Sequence, residues 1–232
     1  MSVMSNKMLK NTGNNKINSK ILIMTSVEAE QNAIREGLGL NNERFTLALA
    51  GVGPMSAAAN TATMLANSDF SLVINMGIAG GFPESASIGD VVIALKMVAA
   101  DLGAESENGF KPIEELGFGK SVYTVTPDLV DKVNAAIQID SLISVHTKTI
   151  LTLSTVTGTT KSLEELQQRF PEAGAEAMEG FGVATAAELK GVPCMEIRSI
   201  SNLIGPRDRE AWRIKDALES LKVVSSILKE VL

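Results

Sequence analysis

One cysteine, one histidine, one tryptophan and one tyrosine are spread over 232 residues, and these scarcities close off whole classes of chemistry. Cys194 has no partner for an internal disulfide, and its apolar neighbours mark it as a buried, reduced thiol. One His and one Cys cannot assemble a zinc or iron set. No pattern signals a histidine-backed nucleophile either, and His146 reads as a surface residue in the polar approach to a strand. Long apolar runs are also missing, since no span approaches the roughly 18 consecutive residues that a membrane helix needs. Positive charge is not in excess: the formal net charge of −6 gives no general reason to bind nucleic acid or an anionic membrane. A small-molecule or protein partner is left, with any catalysis resting on carboxylates, amides and backbone groups.

What is present suits one globular unit with a substantial core, because 45% of residues are apolar and 21% charged. Residues 1–19 are rich in Asn, Lys and Ser and lack a hydrophobic segment, so they read as a disordered leader and not as a secretory signal. A single domain over 20–232 in a cytoplasmic protein is expected. Ile21–Thr25, Phe45–Ala50, Leu72–Met76, Val91–Val98 and Val145–Val156 have the character of buried strands. Met55–Leu65 and Ser162–Phe170 favour helix, as does Asp128–Ile137 behind the start signal Thr126-Pro127. In Arg209–Leu232 the residues Ile214, Leu218, Leu221, Val224, Leu228 and Val231 share one helical face. Strands alternating with helices predict an α/β protein, three-layer α/β/α with a mixed, largely parallel central sheet. Gly103–Gly119 is expected to be a long surface loop.

The glycine-rich turns GVGPMS and NMGIAGG miss the spacing of a dinucleotide fingerprint, and neither is a Walker A loop, so bound NAD or ATP is disfavoured. Their remaining use is to let backbone N–H groups approach a small ligand. Glu28 and Glu30 follow the first strand and could face a site at the sheet's carboxyl edge. Equally, acids there complement the dipole of a starting helix, and the residues alone favour that simpler role. Glu176 and Glu179 bracket Met178, where a carboxylate could accept two hydrogen bonds from a vicinal diol. Ser201-Asn202 ends a buried-strand pattern and offers a hydroxyl beside an amide.

Taken in order, KILIMTSVEAE, AGVGPMSAAANTA, NMGIAGG, GDVV, EAMEGFGVA and IRSISN resemble the nucleoside phosphorylase/hydrolase family over nearly the whole chain from Lys20. Each segment is weak alone; the ordered set is specific. The pattern is similar to methylthioadenosine/S-adenosylhomocysteine nucleosidases. MEGFGVA and SNLIGPRDREAW resemble more closely the branch that hydrolyses futalosine, releasing hypoxanthine in menaquinone biosynthesis. The resemblance implies a nucleoside-phosphorylase-like fold, a purine nucleoside substrate, no metal or organic cofactor, and a homo-oligomer of two subunits or more. It assigns Glu30 to activating the attacking water, against the helix-start role, and Glu179 to the ribose diol. Met178 would lie beneath the sugar, Gly77 and Ile78 would line it and exclude phosphate, and Ser201 and Asn202 would meet the base. Ala177 stands where the adenine-specific nucleosidases carry a further Glu, and Glu176 is expected to face elsewhere.

Asn202 occupies the place of an aspartate in those adenine-specific enzymes. Adenine offers an acceptor at N7 and a donor at its amino group, whereas hypoxanthine offers two acceptors, N7 and O6. An amide can donate to O6, while an ionised carboxylate would repel it. Asn202 therefore implies a 6-oxopurine. Phosphorylases of the family place an arginine just ahead of the third glycine-rich turn, and here Ile74-Asn75-Met76-Gly77-Ile78 carries no cation, which implies water as the nucleophile. The aryl carboxylate of futalosine needs a cation, for which Arg207, Arg209 and Arg213 are candidates; they serve equally as charge compensation beside Asp208 and Glu210.

Overall fold

The computed structural model describes residues 20–39, 42–107 and 109–232, and the leader expected over 1–19 lies outside them. Strand β1 (Ile21–Thr25) is buried at every residue because its side chains alternate between two cores. Ile21 and Ile23 enter one, Leu22 and Met24 the other, as a strand covered on both faces requires. The chain continues through α1 (Glu28–Leu38), β2 (Phe45–Leu49), α2 (Pro54–Asn67), β3 (Leu72–Gly81), β4 (Val91–Ala99), β5 (Gly103–Ser106), β6 (Gly109–Pro112) and β7 (Val122–Thr124). It then forms α3 (Pro127–Asp140), β8 (Val145–Thr152), α4 (Thr160–Arg169), β9 (Ala173–Ala177), α5 (Gly180–Leu189), β10 (Cys194–Leu203), a 3₁₀ turn (Arg209–Ala211) and α6 (Ile214–Val231).

Helices α1, α3 and α6 pack together on one face of the sheet, and α2 with α5 on the other. The expected three layers are therefore present. Along the sheet the strands run β10-β4-β8-β9-β3-β1-β2, with β7 on β4 and a second pairing of β10 to β3 that closes part of the sheet into a ring. Most pairs are parallel; β10–β4, β3–β9 and β4–β7 are antiparallel.

The long strand β3 creates the opening that matters. Leu72–Asn75 pair with β1, and Gly80 and Gly81 pair with β9, while β10 follows the opposite edge throughout. Beside Met76–Ala79, β1 has ended and β9 has not begun. Ligands of α/β sheets settle in such splits at strand carboxyl ends. The expected glycine-rich turn at NMGIAGG is corrected by this geometry: it is extended strand, because β10 pairs with it as far as Gly81. The expected loop at Gly103–Gly119 contains the hairpin β5–β6, whose four-residue strands lack the apolar alternation that would have announced them. Ile214 is exposed at the first residue of α6, whereas Leu221, Val224 and Leu228 are buried. Cys194 is a free, half-buried thiol. His146 Nε2 lies 2.8 Å from Asp90 Oδ2.

Helix α1 approaches α6 through Gly37, where an added Cβ would sit 2.1 Å from the Lys222 carbonyl oxygen and 2.2 Å from Ser225 Oγ. Replacing Gly37 by Ala gains about 1 kcal/mol of helix propensity. It also forces the helices apart, at a cost of about 1–3 kcal/mol. Net destabilisation in urea unfolding is expected for Gly37→Ala, and a stabilised variant would contradict the close approach.

Candidate active site

Charged residues on strands are rarely sealed inside, yet Glu196 and Arg198 on β10 are 0% and 1% exposed. Two residues apart, they point to one side of the strand. A buried guanidinium needs partners, and four of the five N–H groups of Arg198 have one. Its Nε donates to Glu196 Oε1 at 2.8 Å and its Nη2 to Glu179 Oε2 at 3.1 Å. Nη2 also donates to Asn75 Oδ1, and Nη1 reaches the Ile78 carbonyl at 3.4 Å. Asn75 in turn donates to the Met24 carbonyl at 3.2 Å, tying the end of β1 into the cluster.

Glu30 enters from α1. Its Oε2 accepts from the backbone N–H groups of Ser26 and Val27 at 2.8 and 3.2 Å, capping its own helix. Its Oε1 accepts from Ile78 N–H at 2.9 Å, inside the stretch of β3 that neither β1 nor β9 pairs. Burial pushes the Glu30 carboxyl above the ordinary glutamate range; the Arg198 charge and the Ile78 and Val27 N–H groups pull against it, and Glu179 adds to the rise. Gly77 makes the convergence possible. A Cβ there would lie 2.6 Å from Glu30 Oε1 and 2.7 Å from Arg198 Nη1.

Glu179 sits where β9 turns into α5. Its Oε1 accepts from Gly53 N–H at 3.2 Å and its Oε2 from Met178 N–H at 3.3 Å. The segments that follow β1, β2 and β9 thus deliver groups to the middle of β3 and β10. Two buried carboxylates and one buried guanidinium converge beside Gly77 and Ile78. Such a set can accept a proton from water, bind a diol and stabilise a cation.

Residues 27–232 match the Phosphorylase superfamily. The chain belongs to that superfamily. A futalosine hydrolase from Streptomyces coelicolor is 42% identical over 220 residues, covering 87% of this chain and 91% of the relative. A 5'-methylthioadenosine/S-adenosylhomocysteine nucleosidase from Maridesulfovibrio salexigens is 28% identical over 196 residues, covering 83% and 84%. Among solved structures, the native futalosine hydrolase of Helicobacter pylori superposes with a TM-score of 0.79 at 21% identity, covering 91% of this chain and 98% of that one. At that identity the likeness speaks for the fold.

Within this superfamily member the residues named from sequence fall into two neighbouring groups. Glu30, Gly77, Ile78 and Glu179 belong to the arginine cluster, with half-buried Met178 beside Glu179. Ser201 and Asn202 lie further along β10, where Asn202 pairs with Gly80. The Ser201 hydroxyl lies 2.9 Å from Asn202 Oδ1 and 3.2 Å from the Ala79 carbonyl. The one Ser201 hydroxyl hydrogen can serve only one of these oxygens at a time, while Nδ2 spends one hydrogen on the Leu203 carbonyl at 3.0 Å. Its second hydrogen is left for a ligand.

Glu176 faces away from the arginine cluster, as expected, and holds the backbone N–H and hydroxyl of Thr157. Glu28 is exposed. Arg207, Arg209 and Arg213, with Trp212 and Lys215, line an open cavity of about 560 Å³ past the end of β10. Arg213 N–H donates to the Ser201 carbonyl at 2.8 Å, so this basic segment is anchored next to Asn202.

Sequence reasoning missed Arg198, Glu196 and Asn75. The glycine-rich segment itself carries no cation, but the fold brings Arg198 against it, which corrects the reading of that region as free of positive charge. Because Glu196, Glu179 and Asn75 already occupy the guanidinium, little of it is free for a phosphate dianion. The available signal was a Glu and an Arg two apart in the otherwise apolar CMEIRSI.

A titration of Glu30 followed by carbon NMR of labelled glutamate should show its carboxyl above the ordinary range. In Arg198→Gln, where the opposing positive charge is removed, the value should rise further. A wild-type value at or below the ordinary one would contradict the desolvated geometry.

Proposed function

We propose that the protein hydrolyses the N-glycosidic bond of futalosine, releasing hypoxanthine and dehypoxanthine futalosine, a step of menaquinone biosynthesis. The observation that carries this reading is the placement of Glu30 and Glu179 around the buried Arg198 beside Gly77 and Ile78. The 42% identical relative supports the choice of substrate.

In the reaction the C1′–N9 bond breaks with its electron pair left on the purine, and the sugar becomes oxocarbenium-like. Water adds to C1′ while Glu30 accepts its proton, a task suited to a carboxylate whose basicity burial has increased. Glu179 receives the 2′ and 3′ hydroxyls and, with Glu30, supplies negative field to the sugar. Met178 packs beneath the ring. Ile78 presents an apolar side chain where a dianion would need donors. Asn202 offers its free amide hydrogen to O6, with Ser201 fixing its orientation. The proton held by Glu30 is then lost to solvent, and the purine anion takes one up.

The chain works as a single domain over 20–232, as a cytoplasmic homo-oligomer. Among the described residues, no helix is long and apolar enough to cross a membrane. Arg207, Arg209 and Arg213 provide positive charge for the aryl carboxylate of the substrate. The competing reading, an adenine-specific nucleosidase, is disfavoured by Asn202 and Ala177.

Incubation with futalosine and with methylthioadenosine in phosphate-free buffer, followed by chromatography of the released base, separates these readings. Hypoxanthine from futalosine without adenine from methylthioadenosine is the expected result. Adenine release would move the protein to the adenine-specific branch, and turnover appearing only with added phosphate would make it a phosphorylase.

A further inference from the structure

Glu196 is a buried acid that the reaction above does not use. Its Oε1 accepts from Arg198 Nε at 2.8 Å. Its Oε2 is fully enclosed and has no hydrogen-bond partner among the described residues. Enclosing a carboxylate oxygen without a protein partner is costly, so a fold that does so needs an explanation. Desolvation raises the Glu196 carboxyl above its ordinary value, with Arg198 opposing, so charge at this position depends on the ion pair.

The space for Glu196 is made by a glycine. A Cβ on Gly180, the first residue of α5, would stand 2.0 Å from Glu196 Oε2. The carboxylate therefore lies against the N-terminal end of a ten-residue helix, where the dipole favours negative charge. Gly180 directly follows Glu179, so one junction both delivers the sugar-facing carboxylate and admits the hidden one. Among the described residues, Glu179 and Glu196 make ion pairs with Arg198 alone. With Glu30, three carboxylates surround a single guanidinium.

We propose that Glu196 is a positioning residue for glycosidic cleavage: it fixes Arg198 through Nε and takes up part of its charge, so that the site formed by Glu30 and Glu179 favours a cationic sugar over a neutral one. Without Glu196, the guanidinium would turn its full charge on the other two carboxylates and cancel the field they exert on the sugar. The inference rests on reading the site as a purine nucleoside hydrolase.

Two non-reacting probes test it without turnover. Both carry 9-deazahypoxanthine; one bears a cationic iminoribitol ring and the other its neutral ring-oxygen counterpart. Calorimetry on the wild type should show preference for the cation. Glu196→Gln keeps an acceptor for Nε but removes the charge. It should lose roughly ten- to hundredfold of that preference while binding the neutral probe within about threefold of wild type. Glu196→Asp keeps the charge and should retain most of the preference, which also covers the case in which the Gln variant fails to fold. An unchanged preference in Glu196→Gln, or equal weakening of both probes, would overturn the proposal. Failure of the wild type to bind either probe would instead overturn the nucleoside reading, and this inference with it.

Discussion

A guanidinium buried without water must be surrounded by acceptors, and that requirement on Arg198 organises the centre of this protein. The acceptors come from β3, β10 and the β9–α5 junction, so these elements cannot slide or separate without stranding a charge. Removing one partner of such a group is far more damaging than the pair's net contribution suggests. The same contacts fix Glu179 directly, and Glu30 is held close by through the backbone of Ile78. Rigidity of the scaffold and placement of Glu30 and Glu179 thus share one cause.

The sheet contributes the second half. Strand β3 exchanges its neighbour from β1 to β9 midway, and the unpaired interval between them is where Glu30 takes the place of a missing strand. Burial then makes Glu30 a better base, while the hydrogen bonds that hold it limit that rise. Bare Cα atoms at Gly77 and Gly180 are as necessary as the charges, since either Cβ would displace a carboxylate.

Much of this was legible in the chain. Alternation of strands and helices gave the three layers, and the ordered motifs led to Glu30, Glu179 and Asn202. Helix-start chemistry and site chemistry are not alternatives at Glu30, because one carboxylate oxygen caps α1 while the other reaches β3. What stayed hidden depends on long-range pairing. Gly77–Gly81 reads locally as a turn and becomes strand only because β10 lies beside it. Arg198 reads as a stray charge until the carboxylates from α1, β10 and the β9–α5 junction are brought around it. The hairpin β5–β6 has no apolar pattern to announce it.

The proposed roles of Glu30 and Glu179 require the geometry of Arg198, and not merely its charge. Hypoxanthine release from futalosine by Arg198→Lys is the most direct test, since lysine retains the charge but cannot make the forked contacts. The folded variant is expected to turn over at least about a hundredfold more slowly than wild type, the scale on which small misplacements of reactive groups act. Wild-type turnover in that variant would contradict the claim.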